Sequence, residues 1–177
     1  IKLRQEYAQH PTDNEVSYYL AYRLGQADLS EEACRIMAAV VAREPQNARY
    51  WLGYARCTAP TGRSRETVDA YRRALSLDPK LAEAHSALGQ IFGEAGLTTD
   101  ALQEYEEAFK LDPNVEVNSE LLANCLLNKG RFLDSWQRMS RSLEEKPIQD
   151  TAYLVLTQAG AKIGKFDDSE KMIMRRL

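Results

Sequence analysis

The chain has 177 residues, enough for one substantial core or for several small stacked units. It is 44% hydrophobic and 28% charged, the balance of an ordinary globular protein, and its net charge of −3 supplies no field to gather nucleic acid or an acidic membrane. No apolar stretch approaches the ~20 residues that span a bilayer, and three cysteines with two histidines describe neither a disulfide scaffold nor a zinc site.

The prolines set a frame. Pro11, Pro45, Pro79, Pro113 and Pro147 follow one another at intervals of 34 residues, and Gly62, Gly96, Gly130 and Gly164 form a second comb of the same period. With each proline at position 32, repeats fall at 14–47, 48–81, 82–115, 116–149 and 150–177, the last incomplete. Residues 1–13 fill the closing positions of a preceding repeat. The chain thus starts and stops inside a repeat, and a piece of a longer array is the expectation.

Taken in chain order, residues 1–13 predict the end of a helix stopped at Pro11, which lacks an N–H and pushes the residue before it out of helical geometry. In 14–47, small Ala21 and Ala33 sit at positions 8 and 20 and large Met37 at 24, but Asp28 stands where the other repeats have the turn glycine. In 48–81 the same places hold Ala55, Thr67 and Tyr71; Pro60 predicts that the first helix stops about a turn early. Repeat 82–115 shows two helical stripes, His85-Leu88-Gly89-Phe92 and Ala101-Tyr105-Ala108-Phe109, parted by Gly96. In 116–149 the small and large positions are Ala123, Ser135 and Met139; in 150–177 they are Thr157, Ser169 and Ile173. Small against large is how paired helices reach interior packing density, and a glycine with left-handed backbone angles ends one helix and turns the chain toward the next.

This pattern resembles the tetratricopeptide repeat: 34 residues, helix–turn–helix, with Leu88-Gly89, Ala101 and Pro113 in the family's register, Phe92 for its tyrosine and Tyr105 for its phenylalanine. Trp51 and Pro79 carry the resemblance in the second repeat, and it extends over essentially the whole chain. It implies an all-α, right-handed superhelical solenoid of antiparallel helix hairpins, whose first helices line a concave groove that holds a peptide or protein ligand. Periodicity marks positions 2, 5, 9 and 12 of each first helix as one face; the resemblance assigns that face to the groove. The candidate partner-binding residues there are Tyr18, Tyr22, Arg49, Leu52, Arg56, Glu83, Ser86, Gln90, Glu120, Asn124, Leu154 and Gln158. Arg56, Gln90, Asn124 and Gln158 form a polar row at position 9, and an amide offers both a donor and an acceptor to a peptide backbone. Tyr18, Tyr19 and Tyr22 form an aromatic cluster that suits either contact with a partner or packing on the preceding repeat.

Charge is uneven. Repeat 48–81 has seven basic and three acidic residues, whereas repeat 82–115 has Lys110 against seven acidic ones, so self-association between copies is a second possibility. The lysine and asparagine pattern by which some arrays of this family clamp a chaperone tail is absent: Leu52 and Arg56 stand at positions 5 and 9, and Val117 and Leu121 close the set.

Catalysis is not expected. Gly160-Ala-Lys-Ile-Gly164-Lys165 has one residue too few for a phosphate loop and no following serine or threonine, and no zinc-protease or serine-hydrolase motif occurs. No catalytic residue, metal or cofactor is assigned. His85 reads as a packed residue at the family's tryptophan site, and Cys34, Cys57 and Cys125 read as reduced interior thiols, consistent with a cytoplasmic setting. The expected partner is a protein or peptide, with no nucleic acid and no membrane insertion. A recognition arm of a larger enzyme is the alternative.

Overall fold

The computed structural model describes residues 2–145 and 150–175; Pro147 lies outside them. The described residues are all-helical, with no strand among them. In order they form α1 (Lys2–Gln9), α2 (Asn14–Gln26), α3 (Ser30–Arg43), α4 (Ala48–Thr58), a 3-10 turn (Ala59–Thr61), α5 (Ser64–Leu77), α6 (Ala82–Glu94), α7 (Thr98–Leu111), α8 (Ser119–Asn128), α9 (Phe132–Glu145), α10 (Asp150–Lys162) and α11 (Phe166–Met174). Two compact units divide within α6, one reaching His85 and the other starting at Ser86.

The turns explain the boundaries. Gly62, Gly96, Gly130 and Gly164 all have φ between 73° and 76°. After Gly96, Gly130 and Gly164, the next residue donates its N–H back into the finished helix: Leu97 to Phe92, Arg131 to Leu126, Lys165 to Gly160. That bond satisfies a carbonyl the helix end would leave open. Asp28 takes the same left-handed conformation without being glycine, at φ 58°, and Leu29 donates to Leu24. Pro60 acts as expected but more gently. The α-helix ends at Thr58, and the 3-10 turn carries the chain on to Gly62. Helices α2, α4 and α8 start on polar caps, with Asp13 accepting from the N–H groups of Glu15 and Val16, Asn47 from Arg49, and Asn118 from Leu121.

In the first unit, α2, α3 and α4 share a core of Leu20, Ala21, Met37, Val40, Tyr50 and Cys57, with Leu3 and Tyr7 of α1 packed against it. In the second unit one cluster joins Ala101, Tyr105, Leu122 and Cys125, and another joins Ala123, Met139, Val155 and Leu156. The small and large positions meet as the repeat demands. A Cβ added to Gly89 would stand 2.9 Å from the ring of Tyr105, which is fully buried. All three cysteines are buried and free.

His85 departs from expectation. It is half-buried rather than a core residue, and its Nε2 lies 3.3 Å from the carbonyl of Pro79. Trp51 does the same one repeat earlier, donating from Nε1 to the carbonyl of Pro45 at 2.9 Å. In both repeats a ring nitrogen at this position meets the proline carbonyl six residues back, which keeps the ring near the surface.

Candidate partner-binding surface

In the first unit the first-helix face is built around two arginines. Arg49 reaches Glu15, the residue 34 places earlier, at 3.2 Å. Its guanidinium also lies 4.3 Å from the ring centre of Tyr18 and 5.6 Å from that of Tyr19. The Tyr19 hydroxyl, accepting at 3.4 Å, raises the Arg49 pKa above its already high value, so this is a permanent cation. Arg56 reaches forward instead. Its Nε lies 2.6 Å from Glu83, with the Tyr22 ring centre 5.9 Å away. Both ion pairs are about half exposed and each contributes about 0–1 kcal/mol. They fix side-chain direction more than stability.

Between α2 and α4 a cavity of about 210 Å³ opens, lined by Tyr18, Ala21, Tyr22, Met37, Gly53, Arg56 and Cys57 among others. Tyr22 is 45% exposed at its rim. Gly53 lets two of its walls pack close: a Cβ there would stand 2.8 Å from the Tyr18 ring and 3.2 Å from the Met37 methyl. Three residues singled out in the sequence (Tyr18, Tyr22 and Arg56) thus meet at one cavity. Gly53, Met37 and Cys57 were not foreseen as part of it. The signal for Gly53 was present, because a glycine inside a helical stripe marks a close approach. Burial pushes the Cys57 thiol up to about 12, so it lines the cavity as an apolar group.

Position 5 needs correction. Leu52 and Ser86 are only 8% and 7% exposed, which removes both from the accessible surface. The Ser86 hydroxyl donates to the backbone carbonyl of Glu116 at 2.5 Å, so this side of α6 faces the lead into the next hairpin. Of the other second-unit candidates, Gln90 is exposed and its amide donates to Glu94 at 2.9 Å. Glu120 and Asn124 are half-buried, while Leu154 and Gln158 are exposed. A cleft in this unit is lined by Phe109, Glu116, Ser119, Arg138 and Arg141, with the Arg138 guanidinium 5.0 Å from the Phe109 ring centre.

Comparison with known proteins follows the repeat. One family model, described as a TPR repeat, matches residues 62–96, and another, described as a tetratricopeptide repeat, matches 82–115. This chain carries tetratricopeptide repeats. No curated protein matches it in sequence. Its tetratricopeptide fold is similar to that of YrrB, described as a TPR protein with an unusual peptide-binding site, at 15% identity and a TM-score of 0.76 over 99% of this chain and 91% of that one. It is also similar to PilF of Pseudomonas aeruginosa, at 15% identity and a TM-score of 0.82 over 98% and 79% of the two chains. A third likeness is to MamA of Desulfovibrio magneticus RS-1, at 14% identity and a TM-score of 0.75 over 93% of each chain. These likenesses bear out the all-α class and the hairpin solenoid expected of a tetratricopeptide protein. Among the described residues, no helix of this tetratricopeptide chain is long and apolar enough to cross a membrane.

Proposed function

We propose that the chain is a protein-interaction scaffold that binds a peptide segment of its partner on the first-helix face of its repeats, read as 14–47, 48–81, 82–115, 116–149 and 150–177. The observation that carries this reading is the cavity of the first unit, where Tyr18, Tyr22 and Arg56 converge. Aromatic side chains and arginine are the types that anchor protein contacts, since they offer large area with a polar or charged tip. In the second unit Gln90, Asn124 and Gln158 supply amides suited to backbone groups of an extended segment. YrrB's description as a peptide-binding member of the same fold supports the reading.

The test is capture of a partner, peptide mapping of what is retained, and repetition with Arg56, Asn124 and Gln158 changed to alanine. The mapped peptide is expected to lose affinity in the triple variant. A charged hydrogen bond is worth ~1.5–3 kcal/mol and a neutral one ~1. Melting should barely move, because Arg56 and Glu83 form an exposed pair. Unchanged affinity in the triple variant rejects the face. As a control for fold dependence, Ala101→Trp overpacks a fully buried position and should abolish folding and capture together.

A further inference from the structure

Building on the peptide-binding reading, we propose that the cavity between α2 and α4 takes one bulky apolar side chain of an acidic segment, with a neighbouring carboxylate held by Arg56. Size is the first argument. At about 210 Å³ the cavity is smaller than the ~300–1,000 Å³ of sites that enclose small molecules. It accommodates a side chain rather than a whole ligand.

Lining is the second. Ala21, Met37 and Cys57 are buried core residues that offer no strong hydrogen-bonding group to an occupant, and Gln26 and Ser30 are the polar exceptions in a mostly apolar lining. A polar side chain inserted there would lose its water for few hydrogen bonds in return. The Tyr18 ring, seated against Gly53 where a Cβ would be, forms one wall, and a Cβ added to Gly53 would displace it.

Charge is the third. The rim presents donors. The Tyr22 hydroxyl accepts from the Gln26 amide at 3.0 Å and keeps its proton to give. Arg56 places Nε on Glu83, and a guanidinium has five N–H donors, so its outer edge suits a second carboxylate. Its repeat, 48–81, carries seven basic residues against three acidic, which favours an acidic segment over a basic one.

The probe is a labelled, end-blocked hexapeptide, Ala-Ala-Phe-Glu-Ala-Ala, titrated against the whole chain by anisotropy and by amide chemical shifts. Comparison peptides change Phe to Ala or Glu to Gln. Another arm places phenylalanine last, as free acid or amide, which separates a side-chain carboxylate from a chain end. Each single change to the peptide is expected to weaken binding about tenfold. Added salt should weaken the parent more than the Gln version. Arg56→Gln should erase the difference between Glu and Gln peptides, and Tyr22→Ala should lower affinity for the parent. Gly53→Ala should discriminate against phenylalanine.

Equal affinity of the Glu and Gln peptides overturns the carboxylate assignment. Equal affinity of the Phe and Ala peptides overturns the cavity assignment. If peptides bind but shift only amides near Asn124 and Gln158, the proposal fails while peptide binding itself stands. If no probe shifts amides around Tyr22 and Arg56, the proposal fails, and peptide binding rests on the captured-partner experiment alone.

Discussion

Asp28 holds left-handed backbone angles that cost most residues about 1–2 kcal/mol and glycine almost nothing. Aspartate tolerates this region better than most side chains, which explains its survival at a position where the other turns have glycine. Asp28→Gly is therefore expected to stabilise the first hairpin by about 0.5–1 kcal/mol and raise its melting temperature by a few degrees, read by circular dichroism. An unchanged or lower midpoint would contradict the strain. The anomaly was visible in the sequence as a break in the glycine comb. The register marked the position but not its backbone angles, and the role of His85 was hidden as well, because ring position relative to a carbonyl is not encoded in spacing.

At the scale of helices, small-against-large packing was readable from the repeat, and it assigns unusual weight to two residues. Tyr105 fills the family's phenylalanine site, and its buried hydroxyl finds no partner among the described residues. Tyr105→Phe removes an unsatisfied polar atom at nearly constant shape, and an increase of about 1 kcal/mol in unfolding free energy is expected from urea titration. Gly160 carries the opposite expectation. A Cβ there would stand 2.2 Å from the Ser169 hydroxyl and 3.0 Å from the backbone carbonyl of Lys165, and the carbonyl cannot swing away. Gly160→Ala should cost about 1–3 kcal/mol by overpacking, despite alanine's better helix propensity. The same urea measurement decides it, and a stabilised variant would show that α10 and α11 can move apart. Gly160 drew notice only in the failed phosphate-loop match; its close packing stayed hidden because it lies off the turn comb. Burial of Leu52 and Ser86 escaped for a related reason: periodicity defines which residues share a face, not which neighbour covers it.

Across the molecule, burial raises several acidic groups together. Cys57 and the phenols of Tyr50, Tyr54 and Tyr71 are each pushed up to about 12, from ordinary values of 9.0 for the thiol and 10.0 for the phenols. Desolvation is the first cause in each, and Glu15 and Glu66 add to it at Tyr50 and Tyr54. Above about pH 9 the unfolded chain loses protons that the folded one retains, so stability falls as pH rises. Their contribution is fully present below pH 9.0 and disappears as pH climbs toward about 12. Urea midpoints measured from pH 7 to 11 should be level at first and then decline; a level profile throughout would contradict the burial of these groups. The architecture was legible because a repeat states its core many times over. The cavity was only half legible, since its rim follows the repeat register while the seating of its Tyr18 wall depends on one glycine peculiar to the second repeat.

The bridges between hairpins carry a consequence for how the chain comes apart. Arg49 meets Glu15, Tyr50 meets Glu15, and Arg131 meets Glu106, partners separated by 34, 35 and 25 residues. Within each unit, neighbouring hairpins are thus tied together. Such wiring keeps loop closure inexpensive in entropy and lets folding begin at more than one place. Pulled from its ends, a chain so connected should yield in hairpin-sized steps, each short length released before the next gives way.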